Sequence, residues 1–322
     1  MSSPQVQIIF KPAYECIMSL ITFVDRRLSK NSDMGREWAA GVKEQLDPGF
    51  LQDLKEKSLQ KDLSNLANFM ALAHEQPVNT TREFLAWFTD RNIKELTEHF
   101  PISPDILHSF LANLEQTKKA CSLLGEWDRQ YFGKVDPRVI EGLRENAREK
   151  EALVGEVDPA VLVERVTGGV VLDDIESHKT IILVPQYHAR PFNYYEVHPD
   201  LFISFYPADP AAAPGEPSPQ LKRLTSALGD ESRLKILRFL AGEERTFTDI
   251  VNFTGLAKST VHYHMILLRA AGLTRFHLKA NDAISYSLRN SALEQVAHKL
   301  QEFIAQPDLT GTGETITEGK EE

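Results

Sequence analysis

The sequence has few cysteines, no long apolar run and none of the common catalytic motifs. Only two of its 322 residues are cysteines, Cys16 and Cys121, too few for a disulfide framework or a structural zinc site built on thiolates. No apolar stretch approaches the ~20 residues that a transmembrane helix requires, and the first residues lack the layout of a secretory signal. Metalloprotease histidine pairs, phosphate-binding glycine loops and nucleophile elbows are also missing. We therefore expect a cytoplasmic protein that is not an enzyme, contacts no membrane and carries no metal or cofactor.

Charge is unevenly distributed along the chain. The apolar fraction of 42% and the charged fraction of 25% are ordinary for a globular protein with a packed core. The net charge of -10 hides a difference between segments, because residues 1–219 carry -10, residues 220–304 carry +4 and residues 305–322 carry -4. A basic segment in an acidic protein indicates an anion-binding module attached to a second unit.

A proline-rich segment divides the chain. Residues 207–219 contain five prolines, which remove backbone donors and prevent a helix or a strand from continuing. We therefore predict an N-terminal domain over residues 1–207 and a linker over residues 208–220. A second domain is predicted over residues 221–305, and the Gly-, Thr- and Glu-rich residues 306–322 are expected to form a disordered acidic tail.

The N-terminal domain is predicted to be rich in α-helix. Several helices are expected to begin where a capping side chain precedes a proline, because the missing proline N–H has no intrahelical acceptor at the first helical position. These pairs are Asp47-Pro48, Ser103-Pro104, Asp136-Pro137 and Asp158-Pro159. Runs of β-branched and aromatic residues predict strands at residues 6–10, 180–184 and 201–206. The fold class is therefore mainly α with a minor α+β component, and the α-rich N-terminal domain is predicted to end in a small antiparallel sheet.

Residues 221–305 show the pattern of a helix-turn-helix. Asp230 can cap one helix, and residues 246–249 fit a capping box that opens the next. A tight turn at residues 254–256 separates this helix from another at residues 258–271. Two helices joined by a short turn that contains glycine form a helix-turn-helix.

The helix predicted at residues 258–271 presents polar side chains in its first turns. Val261, Met265 and Leu268 share its apolar face, and His264 lies on the same side, so we predict that His264 is buried and hydrogen-bonded rather than in contact with bases. A helix N-terminus can hold phosphates through its N–H groups, while hydroxyl, imidazole and phenol groups reach base edges in the major groove. An ordinary solvated face is the alternative. The candidate DNA-binding residues on this helix are Lys258, Ser259, Thr260, His262 and Tyr263.

A β-hairpin with basic side chains is predicted directly after this helix. Residues 273–278 and 283–288 are rich in strand-forming residues and flank a turn at residues 279–282. Its basic side chains are expected to contact the phosphate backbone beside the major groove. The alternative is a charged hairpin tip without a partner. The candidate contacts are Arg275, His277 and Lys279.

In these segments the sequence resembles the winged helix-turn-helix domain of the ArsR-type (arsenic-repressor-like) bacterial transcription factors. The motifs that carry the resemblance are LGDESRLKIL (228–237), TGLAKSTVHYH (254–264), LRAAGL (268–273) and YSL (286–288). The resemblance implies that double-stranded DNA is the partner and that the helix beginning near Lys258 enters the major groove. It also implies a homodimer formed through the outer helices, here residues 221–228 and 291–304.

The sequence departs from the family pattern at two places. Family metal sensors carry cysteines on the first helix of the motif, where residues 246–252 contain none, and the last helix lacks the paired Asp/His spacing of other members. We therefore expect no arsenic or zinc site of the usual family kind. Ala257 occupies a position where members often have a serine N-cap, a difference worth about 1 kcal/mol of helix stability.

A cluster of aromatic and basic residues precedes the linker. It is a candidate effector pocket, in which aromatic rings stack on a ligand and Arg190 binds an anionic group. The alternative is a β-meander that closes the domain through aromatic packing, which general packing tendencies favour. The candidate pocket residues are Tyr187, His188, Arg190, Tyr194 and Tyr195.

Together these patterns predict a sequence-specific DNA-binding transcription regulator of ArsR type. A homodimer is expected to bind a pseudo-palindromic operator whose half-sites are about one helical turn apart, or a multiple of it. The N-terminal domain is a candidate sensor of a small molecule. Two alternatives stay open from the sequence: an enzyme, or a protein-interaction scaffold, in which the winged helix serves only for localisation or partner binding.

Overall fold

The computed structural model shows a protein made mainly of α-helices, with two small sheets. It describes residues 3–56, 59–76, 78–90, 95, 114–198, 200–279 and 284–306. Within these ranges, no helix combines the length and the apolar character that crossing a lipid bilayer demands. The predicted fold class, mainly α with a helix-turn-helix in the C-terminal part, is confirmed.

Helices dominate the chain before the linker. They are α1 (Pro12–Val24), α2 (Arg26–Asn31), α3 (Gly35–Gln45), α4 (Pro48–Asp53), α5 (Leu59–Leu72), α6 (Thr81–Thr89), α7 (Leu114–Gln130), α8 (Pro137–Glu151) and α9 (Pro159–Thr167). As predicted, α4, α8 and α9 begin at a proline that follows an aspartate. The Asp136 carboxylate accepts a hydrogen bond from the Arg138 N–H at 2.9 Å, and Asp158 accepts one from the Ala160 N–H at 2.9 Å. The pair Ser103-Pro104 lies outside the described residues.

The described residues of the same part also form five strands. They are β1 (Gln5–Ile8), β2 (Val170–Leu172), β3 (Thr180–Gln186), β4 (Tyr194–His198) and β5 (Leu201–Pro207). Four of them form a sheet in the order β1-β3-β5-β4, in which β1, β3 and β5 are parallel and only β4 is antiparallel, to β5. The predicted antiparallel sheet is therefore corrected to a mixed one. The physical reason is that β3 and β5 are buried on both faces, which is the environment of central parallel strands.

This sheet has a layer of helices on each face. Successive strand residues point to opposite faces, so Ile182 and Val184 of β3 enter a core shared with α1, α5 and α7. Ile181 and Leu183 point the other way, into a second core shared with α8 and α9. The N-terminal part is thus a three-layer unit whose apolar strands are enclosed by helices.

The C-terminal part contains the predicted winged helix-turn-helix. Its helices and strands are α10 (Pro219–Leu228), α11 (Glu231–Leu240), β6 (Arg245–Thr246), α12 (Phe247–Thr254), α13 (Lys258–Ala270), β7 (Thr274–Leu278), β8 (Ile284–Leu288) and α14 (Asn290–Ile304). Helix α10 begins two residues before the predicted domain start, because Ser218 caps it and Pro219 occupies its first turn. Residues 307–322, most of the predicted tail, lie outside the described residues.

The second sheet joins the two parts of the chain. Its order is β2-β7-β8-β6, and β2 runs parallel to β7, with Val170 opposite Phe276 and Leu172 opposite Leu278. The domain division predicted from sequence places β2 in the N-terminal domain, whereas the structure adds it to the sheet of the winged helix. The division itself stays a prediction.

Ion pairs accompany this strand pairing. Glu164, at the end of α9, accepts a hydrogen bond from the Arg289 Nε at 2.9 Å and pairs with an Arg275 guanidinium nitrogen at 3.2 Å. Burial raises the pKa of Glu164, but the hydrogen bonds and charges of Arg289 and Arg275 outweigh burial and hold its pKa below the usual value. We call the β2–β7 pairing together with these ion pairs the β2–β7 junction.

Gly169 lies at the β2–β7 junction, in a position that has no room for a side chain. Its φ is +130°, and a Cβ added there would lie 2.6 Å from the Thr274 carbonyl oxygen. The Gly169 carbonyl also accepts a hydrogen bond from the Phe276 N–H at 2.7 Å. Only glycine allows this approach of two backbones.

The substitution Gly169→Ala is therefore expected to lower the free energy of unfolding by about 2 kcal/mol or more, because it combines backbone strain with a backbone clash. Urea denaturation measures the change. The matched control is Gly142→Ala in α8, where a Cβ meets open space in a helix and alanine is expected to be neutral or stabilising. Equal stability of Gly169→Ala and the parent chain would contradict the β2–β7 pairing.

Candidate nucleic-acid interface

The helix-turn-helix begins with a complete capping box. The Thr246 hydroxyl accepts a hydrogen bond from the Asp249 N–H at 3.2 Å, and the Asp249 carboxylate accepts one from the Thr246 N–H at 2.9 Å. Hydrogen bonds from the Thr246 hydroxyl and N–H hold the pKa of Asp249 below its usual value. Gly255 ends α12 in the left-handed region, with φ at +65°, and its N–H donates to the Val251 carbonyl. The capping box and the turn predicted from sequence are confirmed.

Helix α13, the second helix of the helix-turn-helix, has a buried face and an exposed face. Val261, Met265 and Leu268 are buried in the core of the winged helix. His264 is buried with them, as predicted, but the predicted hydrogen bond is not seen at its Nδ1, which lies 4.0 Å from the Asp230 carboxylate and has no hydrogen-bond partner among the described residues. The opposite face therefore carries the side chains that are free to meet a partner.

The first turns of α13 are open to solvent. All five residues predicted to bind DNA on this helix are exposed, and Tyr263 keeps 55% of its surface exposed. Among the described residues, no side chain caps the helix at Ala257 or accepts a hydrogen bond from the backbone N–H groups of its first turn. A helix start in this state attracts an anion through its free N–H groups and the positive end of its dipole.

The basic residues of the hairpin are engaged by carboxylates. Arg275 pairs with Glu164, and the His277 Nδ1 lies 3.0 Å from an Asp173 carboxylate oxygen. The Lys279 ammonium lies 2.5 Å from a Glu244 oxygen. Hydrogen bonds from Lys279 and Ser285 hold the pKa of Glu244 below its usual value. The sequence did not predict these acidic partners, because two of them precede the linker.

One group of potential metal ligands lies at the same place. Among the residues that the structure describes, Asp173, Glu244 and His277 offer donor atoms within 4.8 Å of one another. The Lys279 ammonium lies between the two carboxylates, 3.8 Å from Asp173 and 2.5 Å from Glu244, so a divalent cation would have to displace it. The Lys279 ammonium therefore already neutralises charge on these two carboxylates.

The two cysteines are not poised to bind metal. Both are buried, and burial raises the pKa of Cys121 to about 12. Burial, with the nearby Asp128 charge, also raises the pKa of Cys16. Since the thiolate is the metal-binding form, these thiols are unsuited to that role.

The structure distributes the candidate effector residues over several environments. His188 is buried, and its backbone N–H and that of Tyr187 donate to the Glu15 carboxylate at 3.0 and 2.9 Å. The His188 Nε2 lies 2.8 Å from the Tyr131 hydroxyl. Glu15 is a fully buried carboxylate in the otherwise apolar helix α1. An isolated charged residue in such a helix is the feature of the sequence from which this hydrogen-bond network could have been predicted.

The remaining candidates point to other neighbours. Arg190 lies 3.8 Å above the Tyr187 ring and pairs with Asp209 at 3.3 Å. Tyr194 shares a hydrogen bond with the Ser64 hydroxyl in the N-terminal core. The ring of Tyr195 packs against Phe202 and Phe276, at the contact between the N-terminal part and the winged helix. Tyr187, His188 and Arg190 thus lie together, whereas Tyr194 and Tyr195 have other neighbours, and the effector pocket stays a prediction.

The capping box can be tested by its effect on stability. Thr246→Ala is expected to lower the free energy of unfolding by about 1 kcal/mol, because it removes the hydroxyl acceptor at the start of α12. Urea denaturation measures the loss, and Thr246→Ser is expected to restore most of it. Thr248→Ala, an exposed substitution two residues along the same helix, is the control and is expected to change stability by less than about 0.5 kcal/mol. A loss as large in Thr248→Ala would contradict the capping role.

Part of the chain is similar in sequence to known transcriptional regulators. The family model described as "Bacterial regulatory protein, arsR family" matches residues 230–275. The transcriptional repressor SdpR of Bacillus subtilis (strain 168) is 28% identical over 88 residues, which are 27% of this chain and 97% of that protein. A crystal structure of a possible transcriptional regulatory protein (fragment 1–100) from Mycobacterium bovis is 26% identical, covers 27% of this chain and 92% of that one, and has a TM-score of 0.22. Residues 230–275 are therefore an ArsR-family helix-turn-helix.

Proposed function

We propose that this protein is a sequence-specific DNA-binding transcription regulator that binds a pseudo-palindromic operator as a homodimer. The match to the ArsR family and the similarity to a transcriptional repressor support a DNA-binding regulator. The observation that carries the proposal is the exposed, uncapped start of α13 in a helix-turn-helix of that family. The enzyme and scaffold alternatives receive no comparable support.

The exposed side chains of α13 divide into two roles. Lys258 and the free N–H groups of the first turn contact phosphates, which positions the helix but carries little sequence information. His262 and Tyr263, one turn further, face outward with hydrogen-bonding groups that reach base edges in the major groove. Ser259 and Thr260 contribute hydroxyl groups to either set of contacts.

The hairpin residues contribute to DNA binding only after they exchange partners. Arg275 would have to leave Glu164, and Lys279 would have to leave Glu244, before either could neutralise a phosphate. Lys279 is exposed at the end of β7, whereas Arg275 and His277 are partly buried. In the proposed complex, α13 therefore supplies the principal contacts and Lys279 the nearest hairpin contact.

A homodimer is supported by the surface of α14. Leu293, Leu300 and Ile304 keep 43%, 40% and 72% of their surface exposed. They lie seven and four residues apart, so they form one apolar stripe along the helix. A second copy of the chain would cover this stripe, as the family resemblance implies.

DNA binding is tested first by selecting bound oligonucleotides from a random pool, which also gives the half-site spacing. Fluorescence anisotropy on the selected site then compares variants. Lys258→Ala is expected to weaken binding to all DNA sequences. It is also expected to reduce the slope of log affinity against log salt concentration by the contribution of about one phosphate contact. His262→Ala and Tyr263→Ala are expected to relax the sequence preference, by about 1–3 kcal/mol for each base that the side chain no longer reads.

Lys43→Ala, which removes the same charge from α3 in the N-terminal part, is the control and is expected to leave DNA binding unchanged. If binding were insensitive to salt and all three α13 variants kept full affinity and selectivity, the proposed interface would be wrong. That outcome would favour a protein-interaction module instead.

The dimer is tested by placing a charge in the α14 stripe. Leu300→Asp is expected to convert dimers to monomers in sedimentation velocity runs, because the buried interface would then contain an unpaired carboxylate. Val161→Asp in α9, at another exposed apolar residue, is the control and is expected to leave the sedimentation coefficient unchanged. A dimer that persists in Leu300→Asp at micromolar concentration would contradict this interface.

A further inference from the structure

A polar cavity of about 530 Å³ lies between the N-terminal part and the winged helix. Its walls come from α8, the end of α9, the end of β5, the start of α10, the end of α13 and one face of α14. The volume is in the range of small-molecule sites in proteins. Because its walls belong to both parts of the chain, its shape depends on their relative position.

The lining of this cavity is strongly basic. Its arginine and lysine residues are Lys150, Arg165, Arg223, Arg269, Arg289 and Lys299, and its acidic residues are Asp209 and Glu302. Arg223 is paired with Asp33 and Asp209, and Arg289 with Glu164. In the part of the chain that the structure describes, Lys150, Arg165, Arg269 and Lys299 form no ion pair. The cavity therefore has positive charge that the described residues do not neutralise.

Arg269 is the most informative of these residues. Its guanidinium lies 3.8 Å above the Phe276 ring, in the last turn of α13, and burial lowers its pKa. Its side chain nevertheless keeps part of its surface exposed and forms no ion pair among the described residues, so its guanidinium donors are available to an anion. The Nε of Arg223, which lines the same cavity, is buried without a hydrogen-bond partner among the described residues. Arg223 therefore lacks one acceptor that a bound anion would supply.

We propose that this cavity binds a small polyanion, a metabolite with two or more phosphate or carboxylate groups. Arg269 forms the floor of the site, Arg165 and Lys150 approach from the N-terminal part, and Lys299 approaches from α14. Guanidinium groups suit both ligand types because their donors match the spacing of paired oxygens. The site differs from the cluster around Tyr187 and His188 that the sequence suggested.

The phosphate backbone of DNA is not the ligand of this cavity. Arg269 is eleven residues along α13 from Lys258, which corresponds to about 16 Å of helix. When the first turn of α13 lies in the major groove, Arg269 therefore stays away from the floor of the groove. DNA binding and anion binding use opposite ends of one helix.

This position gives the anion a regulatory role, which rests on the proposed function. An anion that contacts Arg165 and Arg269 together bridges α9 and the recognition helix, and one that also contacts Lys299 bridges to the proposed dimer helix. Binding would fix the angle of α13 relative to α14 and thus the spacing of the two recognition helices in a dimer. Because a ligand shifts an equilibrium only by its difference in affinity between states, the same anion would change operator affinity.

The test uses isothermal titration calorimetry on the full chain at constant ionic strength, with pyrophosphate as the phosphate probe and citrate as the carboxylate probe. Saturable binding of at least one probe is expected, with one site per chain. The double substitution Lys150→Gln/Arg165→Gln is expected to weaken it by about tenfold or more, because it removes two charge-assisted hydrogen bonds. Arg269→Gln is expected to weaken it at least as much.

Arg148→Gln is the matched control, because Arg148 is exposed on the same helix as Lys150 but does not line the cavity. It is expected to leave probe binding unchanged. Absence of saturable binding by both probes, or equal affinity in the cavity variants and the parent chain, would overturn the proposal. Since Lys150 and Arg165 form no ion pair among the described residues, their substitution leaves the fold intact and keeps the test decisive.

The DNA-binding variant separates this proposal from the proposed function. Lys258→Ala is expected to keep full pyrophosphate affinity, and Lys150→Gln/Arg165→Gln is expected to keep operator affinity in the absence of anion. Loss of pyrophosphate binding in Lys258→Ala alone would place the anion on the DNA-binding surface and overturn the cavity. If the parent chain bound no DNA but lost pyrophosphate binding in the cavity variants, the anion site would be supported and the proposed function overturned.

Discussion

The Glu164 carboxylate is the point at which the two parts of this protein are fixed to each other. It lies between the guanidinium groups of Arg275 and Arg289, and only 18% of its side chain and 6% of that of Arg289 are exposed. Breaking a buried pair of this kind by removing one partner costs about 3–5 kcal/mol, because the other charge is left without compensation. The pairing of β2 with β7 lies beside it, so the ionic contact and the strand ladder stabilise the same arrangement.

The position of the functional surfaces follows from this contact. The N-terminal part covers β7 and the end of α13, and its Glu164 and Asp173 carboxylates pair with Arg275 and His277 of the hairpin. The start of α13 points away from the contact and stays exposed, with Lys258, His262 and Tyr263 accessible. One face of the winged helix therefore contacts the N-terminal part, while the start of α13 lies on the exposed face. Any movement at the Glu164 contact would alter the hairpin charge and the basic cavity together.

Local patterns were enough to predict the helices of the C-terminal unit. The Thr246 capping box, the left-handed Gly255 and the apolar spacing from Val261 to Leu268 each depend on residues within a few positions of one another. The same holds for the aspartate-proline helix starts in the N-terminal part. The direction of the N-terminal sheet was wrong, although the unbroken apolar runs of β3 and β5 are typical of parallel strands buried on both faces. That signal was present in the sequence.

The sequence by itself therefore determined the helix-turn-helix, its buried face and the residues that its recognition helix exposes. Tertiary structure alone decided that β2 joins the sheet of the winged helix, that Glu164, Asp173 and Glu244 neutralise the hairpin, and that Arg269 lines a cavity. Most of these features join residues on opposite sides of the linker, such as Glu164 with Arg275 and Asp173 with His277. Hydrophobic periodicity and capping describe only neighbours along the chain, whereas charge pairing and strand addition depend on which surfaces meet after folding.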